Sequence, residues 1–515
     1  MPRFHLPLAV DFSTRTHLPS TAAAKATYIQ NGFVKKDNTV KIYNRPALKQ
    51  FTSGDFTTVN VIAGVGTDKV YAVIYTPSAT KTEFVSINNH SSNTVHIATL
   101  FDTAAAGTYT SCDILPIIYS SDNYWFIKFN GLAGAGLYTA RIVSSTGTVT
   151  DISDADFPNK ATLFGAAWLD GYVFVMSSAV GNYIYNCDVN DPTSWNAAGY
   201  IIPSLNGGAG VGIDTYKNHV IMFGTKNIQF FYDAAEAAPG SPLLPRQDLV
   251  YNFGVHQSSS IKPWWKSRTG DILSFIGKTH DGKKFIGLFN DFQVEQISNT
   301  FINGLLDEYS NLSISGYSYY GKTFIHVVLN NQISLYYDIE EKVWSVFSSS
   351  IADFVTNSRV VDYIENANAV EPTLLTYCDG TSSSANAGLG KLYYFDQPEN
   401  AHTDVEDDGT TTHTVDLVIQ TPRYRGEPGV ESQRKFMHEL QVIGDTLTSA
   451  DTLSIQYSDD DYQNFITART VDLTASLKQL QRLGYFRERA FKISYTGTQQ
   501  VRLEAIEGQI QVGTN

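Results

Sequence analysis

Four short reversals, Asp170-Gly171, Lys217-Asn218, Asp281-Gly282 and Tyr320-Gly321, divide the middle of this 515-residue sequence into runs that alternate between apolar and polar residues. A chain that turns back through two residues places them at positive φ, which Gly adopts without a Cβ clash and Asp or Asn tolerates. Their flanks, such as Val220 to Phe223 and Phe324 to Leu329, are β-branched and aromatic, so each reversal reads as a β-hairpin. Turn positions 170, 217, 281 and 321 lie 47, 64 and 40 residues apart. A period near 40–50 residues with several strands per unit is that of a propeller blade, the longer intervals holding insertions. The centre is therefore expected to be an irregular β-propeller, with a two-sheet sandwich as the other architecture the pattern allows.

A second device ends strands. Tyr185-Asn186-Cys187-Asp188 with Trp195, Tyr337-Asp338 with Trp344, Tyr232-Asp233 and Phe395-Asp396 each set an aromatic residue before an Asp. Such an Asp accepts from the backbone of the turn that follows, and the Trp is expected to cover that turn from outside. These residues read as structural corners.

Upstream, strand-like runs begin at Val59, with a hairpin at Gly66 to Asp68, and amount to about two further blades; Gly131 to Leu137 reads as a loop. Residues 1–55, with Pro2, Pro7 and Pro19, read as an extended N-terminal arm. It either lies on a neighbouring subunit or supplies a strand that closes the last blade. Helical signals are confined to Ala22 to Ala26 and Ala234 to Ala238, so the chain is expected to be essentially all-β. Residues 397–413 are polar and acidic, the composition of a linker. Beyond them Phe436, His438, Leu440 and Val442 alternate with Met437, Glu439 and Gln441, and similar alternation recurs at Leu453 to Tyr457 and Phe491 to Tyr495. Half-buried antiparallel strands of this kind predict a C-terminal β-sandwich. The expected organisation is an arm over 1–55, a propeller over 56–400, and a linker with the sandwich over 401–515.

Charge narrows the function. The net charge is −14 and only 17% of residues are charged; with no cluster of Lys and Arg, the chain lacks what a tight sequence-independent grip on nucleic acid needs. Three distant cysteines, Cys112, Cys187 and Cys378, fit neither a disulfide framework nor a zinc site and point to synthesis in a reducing compartment. No apolar run is long enough for a signal peptide or a membrane span.

Catalytic patterns are wanting. Gly316 to Gly321 misses Gly-x-Ser-x-Gly by one residue, the eleven His show no HExxH spacing, and the loop of Gly207, Gly208, Gly210 and Gly212 lacks the Lys of a phosphate cradle. Ser458-Asp459-Asp460-Asp461-Tyr462 slightly resembles an aspartate box; three carboxylates could hold Ca²⁺, but a solvated turn is the expected reading. No catalytic, cofactor-binding or metal-binding residue is assigned. Positive charge gathers near the C-terminus in Arg423, Arg425, Arg434, Lys435, Arg482, Arg487 and Arg489. The arginines are candidate docking residues for an acidic surface, where charge sets orientation and rate more than affinity.

Several segments carry a family resemblance: Asn44-Arg45-Pro46-Ala47-Leu48, Asp170 to Phe174, Cys187 to Trp195, Met222 to Thr225 with Ile228 and Phe230, Phe253-Gly254-Val255 with Ser258 to Ser260, Phe275-Ile276-Gly277 with Asp281-Gly282, Gln296 to Thr300, and Tyr337-Asp338 with Trp344. Their order and spacing over residues 40–347 resemble the tail hub, or nozzle, proteins of short-tailed bacteriophages, also called packaged-DNA-stabilisation proteins. Arg482-Leu483-Gly484 with Arg487 and Arg489 is similar to the tail of related proteins. The resemblance implies a non-enzymatic virion protein, made and assembled in the bacterial cytoplasm. It further implies a homohexameric ring beneath the portal adaptor that carries tail fibres or tailspikes and gates the channel through which phage DNA leaves. The alternative from the residues alone is a carbohydrate-active propeller, a glycosidase or lyase acting on surface polysaccharide.

Overall fold

The computed structural model describes the chain apart from residues 1–2, 7, 9, 11, 15–25, 38, 51–58, 65–68, 77–80, 89–93, 102–110, 131–138, 159–162, 178–181, 204–207, 237–238, 257–264, 320, 330–332, 350–357, 365–372, 379–390, 397–401, 406–409, 427–428 and 514–515. Pro2, Pro7, Pro19, Ala22 to Lys25, the Gly66 to Asp68 turn, the Gly131 to Leu137 loop, Gly207, Ala237, Ala238, Ser258 to Ser260, Tyr320 and much of the 397–413 linker lie outside the described residues.

Among the described residues seven antiparallel sheets follow one another along the chain as blades. Blade 1 runs from Val59–Gly64 to Thr94–Phe101, blade 2 from Ser111–Tyr119 to Val149–Asp151, blade 3 from Leu163–Leu169 to Asp191–Ile201, and blade 4 from Gly210–Tyr216 to Leu243–Tyr251. Blade 5 spans Gly254–Val255 to Gln293–Gln296, and blade 6 spans Leu312–Tyr319 to Val343–Phe347. Blade 7 holds Ser358–Ile364, Thr373–Cys378 and Lys391–Phe395. Its fourth strand is Leu48–Gln50, paired through Phe395↔Leu48 and Tyr393↔Gln50. Successive blades touch in order, and Ser358–Ile364 of blade 7 meets Val59–Gly64 of blade 1, which closes the ring. A strand from the N-terminal arm thus completes the last blade, so the ring is fastened by residues from both ends of the propeller sequence.

The rest of the arm runs extended and pairs with the C-terminal strands. Ala26–Gln30 joins the outer strand of blade 6 in parallel at Gln30↔Val346 and, on its other side, Leu417–Gln420. That sheet continues through Ala490–Tyr495, Thr452–Ser458 and Arg469–Asp472. The opposing sheet contains Gly32–Lys36, Val40–Asn44, Arg502–Val512, Lys435–Gly444 and Gln479–Phe486, with Arg3–Leu6 added on Arg502–Val512. Ile29, Ile42, Ile419, Met437, Leu440 and Ile493 meet between the two sheets. The sandwich therefore draws strands from both chain ends, and one of its sheets is continuous with blade 6.

The turns follow the expected chemistry with one change. Asp170 and Gly171 lie at φ 48° and 89°, and Lys217 and Asn218 at 43° and 59°, the left-handed pair of a two-residue hairpin. At Asp281-Gly282 only Gly282 has positive φ, 90°. The loop is longer there: Thr279 N–H donates to the Lys283 carbonyl and Gly282 N–H to Thr279, because Lys278↔Lys284 is the last pair of the ladder.

The tryptophans require a correction. They do not cover their turns from outside: Trp344 is 1% exposed and Trp195 4%. Trp344 Nε1 donates to the Ile297 carbonyl at 2.8 Å and its ring packs on Tyr337. The Asp half of the device behaves as argued, with Asp338 Oδ1 accepting from Glu341 N–H at 2.9 Å and Asp233 Oδ1 from Ala235 N–H at 2.7 Å. The described residues also hold a helix, Thr300–Glu308, capped by Asn299 and anchored by Ile302, Leu305 and Leu306. Its short apolar spacing sits between strand signals on both sides.

His326 lies inside blade 6, 3% exposed, with Nε2 paired to Ser334 Oγ. Burial pushes its imidazole from 6.5 down to about 4. Between those values the unfolded chain binds a proton that the folded chain does not, so stability falls as pH drops through that window. The expected slope is about 1.4 kcal/mol per pH unit from this group. Denaturant midpoints of the wild type and His326→Gln at pH 7 and pH 5 should differ by that contribution; parallel pH profiles would refute it.

Candidate functional surfaces

The segment Asn44 to Leu48 crosses from sandwich to propeller, and Arg45 pins the crossing. Its guanidinium is fully buried and forms a forked pair with Asp404, Nη1 to Oδ1 at 2.9 Å and Nη2 to Oδ2 at 2.6 Å. Nε donates to Asn31 Oδ1, Nη1 to the Pro46 carbonyl and Nη2 to the Ser348 carbonyl. All five guanidinium donors are thereby used, as burial of a charge demands. Asp404 also accepts from Leu48 N–H at 2.7 Å and from Ser349 Oγ at 2.7 Å. Phe347 lies under the guanidinium, 4.9 Å from ring centre to Cζ. One ion pair thus ties the arm, blade 6, blade 7's closing strand and the Thr403–Val405 strand.

A second tie lies at the other end of blade 6. Lys322 Nζ donates to the Val34 carbonyl of the sandwich at 2.5 Å, to Asp338 at 2.9 Å and to Glu341 at 2.8 Å. Glu341 returns the contact by accepting from Lys36 N–H at 3.1 Å.

The C-terminal arginines divide into two groups. Arg489, a candidate docking residue, is 1% exposed. It makes a forked pair with Asp459 at 2.7 and 2.8 Å and stacks between Tyr457 and Phe486, so it holds the fold and offers no docking surface. Lys435 is likewise buried, its ammonium bonded to the carbonyls of Glu431, Gln433 and Arg487. Arg423 pairs with Asp461 and Glu488, and Arg425 with Glu488. Arg434, Arg482 and Arg487 are exposed and form no ion pair among the described residues. The three carboxylates of Asp459 to Asp461 are committed to Arg489, to Ser458 with Asn464, and to Arg423 respectively. The hydrogen bonds from the Asn464 backbone and side chain hold the Asp460 carboxyl down at about 2.

The outer face of the strand Lys435–Gly444 differs from the alternation in the sequence. Met437 is fully buried and Phe436 faces outward, because a bulge between Met437 and Glu439 shifts the phase before Leu440 returns to the core. Phe436 meets Tyr485 at 4.7 Å and His438 at 4.3 Å between ring centres, and Arg434 lies 4.9 Å over Tyr485. Tyr485 is 61% exposed. Neither this aromatic face nor the Arg45–Asp404 pair was legible as a site: the bulge hides the first, and the 359-residue separation of its partners hides the second.

On the innermost strands of blades 4 and 5, Asp214 takes Lys266 at 2.5 Å and Arg268 at 3.0 Å. Burial works to raise this carboxyl, but the two cations outweigh it and keep it below its ordinary value. The described residues contain no group of three or more His, Cys, Asp or Glu placed to hold a metal ion, and no helix among them is long and apolar enough to cross a membrane.

A ring of seven blades fastened by its own N-terminal segment, with a two-sheet sandwich built from both chain ends, defines a β-propeller protein with an appended β-sandwich. The chain belongs to the family described as Bacteriophage P22 Gp10, beta-propeller, whose model matches residues 48–370, and it is a phage structural protein of the packaged-DNA-stabilisation type. No curated protein matches it. Among solved structures, the crystal structure of the mitotic checkpoint complex contains a chain 10% identical, covering 68% of this chain and 92% of that one with a TM-score of 0.37. The C-terminal WD40 domain of Sif2 is 11% identical, covering 71% and 99% with a TM-score of 0.34. The RRP9 WD40 repeats are 10% identical, covering 68% and 99% with a TM-score of 0.39.

Proposed function

We propose that this protein is the tail hub, or nozzle, of a short-tailed phage: a structural subunit that forms a homohexameric ring below the portal adaptor, carries the fibres or tailspikes, and closes the channel for phage DNA. The observation that carries this reading is the family match across the propeller. The double attachment of sandwich to propeller supports it, since a subunit that passes load between portal and fibres needs its two parts held as one. The net charge of −14 fits a channel wall that repels phosphates and lets the duplex slide. Cryo-electron microscopy of particles containing this chain tests the proposal. A sixfold ring on the portal axis with an acidic lumen is the expected result; a free propeller, or a ring with a basic lumen, overturns it.

A further inference from the structure

We infer that the aromatic face of the sandwich docks on the turn-bearing rim of blades 2 and 3 in a second copy of this chain, a head-to-tail contact that rests on the ring reading above. The docking face is centred on Tyr485, Phe436 and His438 and edged by the exposed Arg434, Arg482 and Arg487. Exposed aromatic residues with arginine beside them are what the centres of protein interfaces are built from.

The contact is made by side chains and not by strand addition. Gln479–Phe486 lies at the edge of its sheet, but its outward carbonyls are already taken. Arg469 donates to Gln481 at 2.8 Å, and Arg489 to Leu483 at 2.8 Å and to Tyr485 at 3.5 Å. That leaves an incoming strand little to pair with, so the partner must offer apolar contact and negative charge.

The same chain presents that complement elsewhere. Ile118 and Val189 are 57% and 53% exposed, beside the exposed carboxylates of Asp122, Asp170 and Asp188, none of which forms an ion pair among the described residues. The turns adjoin: Asn190 N–H donates to the Gly171 carbonyl at 2.8 Å. Ser120-Ser121 of blade 2 joins the first two strands of its blade as Asp170-Gly171 does in blade 3, and the inner strands of these blades touch. They therefore share one rim.

The sandwich is fastened to blade 6, and in a ring of seven, blades 2 and 3 are each three steps away, in opposite directions. The basic aromatic face thus belongs to a sandwich fastened at one side of the ring, and the acidic apolar rim to the blades across the ring from that attachment. Two different, complementary patches so placed make a heterologous contact, which closes into a ring when the rotation allows.

Reciprocal charge reversal in the full chain, expressed during phage assembly, tests this. One variant carries Arg434→Glu, Arg482→Glu and Arg487→Glu; another carries Asp122→Arg, Asp170→Arg and Asp188→Arg; a third carries all six. All are surface positions, and unchanged melting temperatures confirm folding. Each triple variant is expected to lower incorporation into tails at least tenfold, with the sixfold combination restoring it. As a charge-neutral check, Tyr485→Ser should lower incorporation while leaving the melting temperature in place. Loss in the basic variant without rescue by the acid-to-base changes would overturn the inference in favour of an adaptor or fibre as the acidic partner. Wild-type rings with both triple variants fully incorporated would overturn the inference alone, whereas wild-type particles lacking a ring would overturn the hub reading itself.

Discussion

Replacing Asp404 with Asn is expected to destabilise the protein by about 3–5 kcal/mol, the range for breaking a buried ion pair while its other charge stays inside. Arg45 has no route to water: it is fully buried, and every other donor on its guanidinium is already engaged. The substitution keeps the shape but removes the charge that answers it. It also weakens the acceptor for Leu48 N–H, so the closing strand of blade 7 loses its fixed start. Hydrogen exchange at Leu48 to Gln50 should accelerate together with the drop in denaturant midpoint. The double variant Arg45→Met with Asp404→Leu should recover much of the loss, because a buried pair is often matched by apolar residues of similar volume. A single variant costing under about 1 kcal/mol would mean that the crossing is solvated and that the pair is no clamp.

The same crossing shows where sequence reasoning reached and where it stopped. The alternation of strands and the glycine or Asp turns gave the blades, because a hairpin is a local object: Asp170-Gly171 can be read from four neighbouring residues. The Ser120-Ser121 and Asp291-Phe292 turns have φ of 50° and 67°, and 48° and 61°, yet contain no glycine, so nothing local announced them. Asn44 to Leu48 was visible as a family segment without its reason. The reason lies in Asp404, Ser348 and Asn31, brought together by the closing of the ring. Among the C-terminal arginines composition gave position but not pairing: Arg489 and Arg434 look alike in the sequence, and only the fold buries one with Asp459 while leaving the other over Tyr485. Phe436 and Met437 make the same point for a strand, since one bulge exchanges which of them faces the core.

Trp344 decides between two views of the aromatic–Asp–Trp device. If the Trp merely shielded a turn, Trp344→Ala would cost little, since the turn's own hydrogen bond from Glu341 N–H to Asp338 would survive. The structure instead sets its ring on Tyr337 with Nε1 on the Ile297 carbonyl, inside the buried cluster that also holds Leu335 and the helix residues Ile302 and Leu306. Truncation there loses the transfer energy of the ring and leaves a cavity between elements that cannot collapse together, for an expected cost of about 3–5 kcal/mol. Trp344→Phe should fill most of that space but strand the Ile297 carbonyl, which now accepts from Nε1, for about 1–3 kcal/mol. The two variants together separate volume from hydrogen bonding in a denaturant titration. Since the same cluster includes Ile302, Leu305 and Leu306 of the helix, the helix amides should lose exchange protection in Trp344→Ala and retain it in Trp344→Phe. Equal, small effects of both would return the residue to the surface role first expected of it and would leave the helix to be held by Ile302, Leu305 and Leu306 alone.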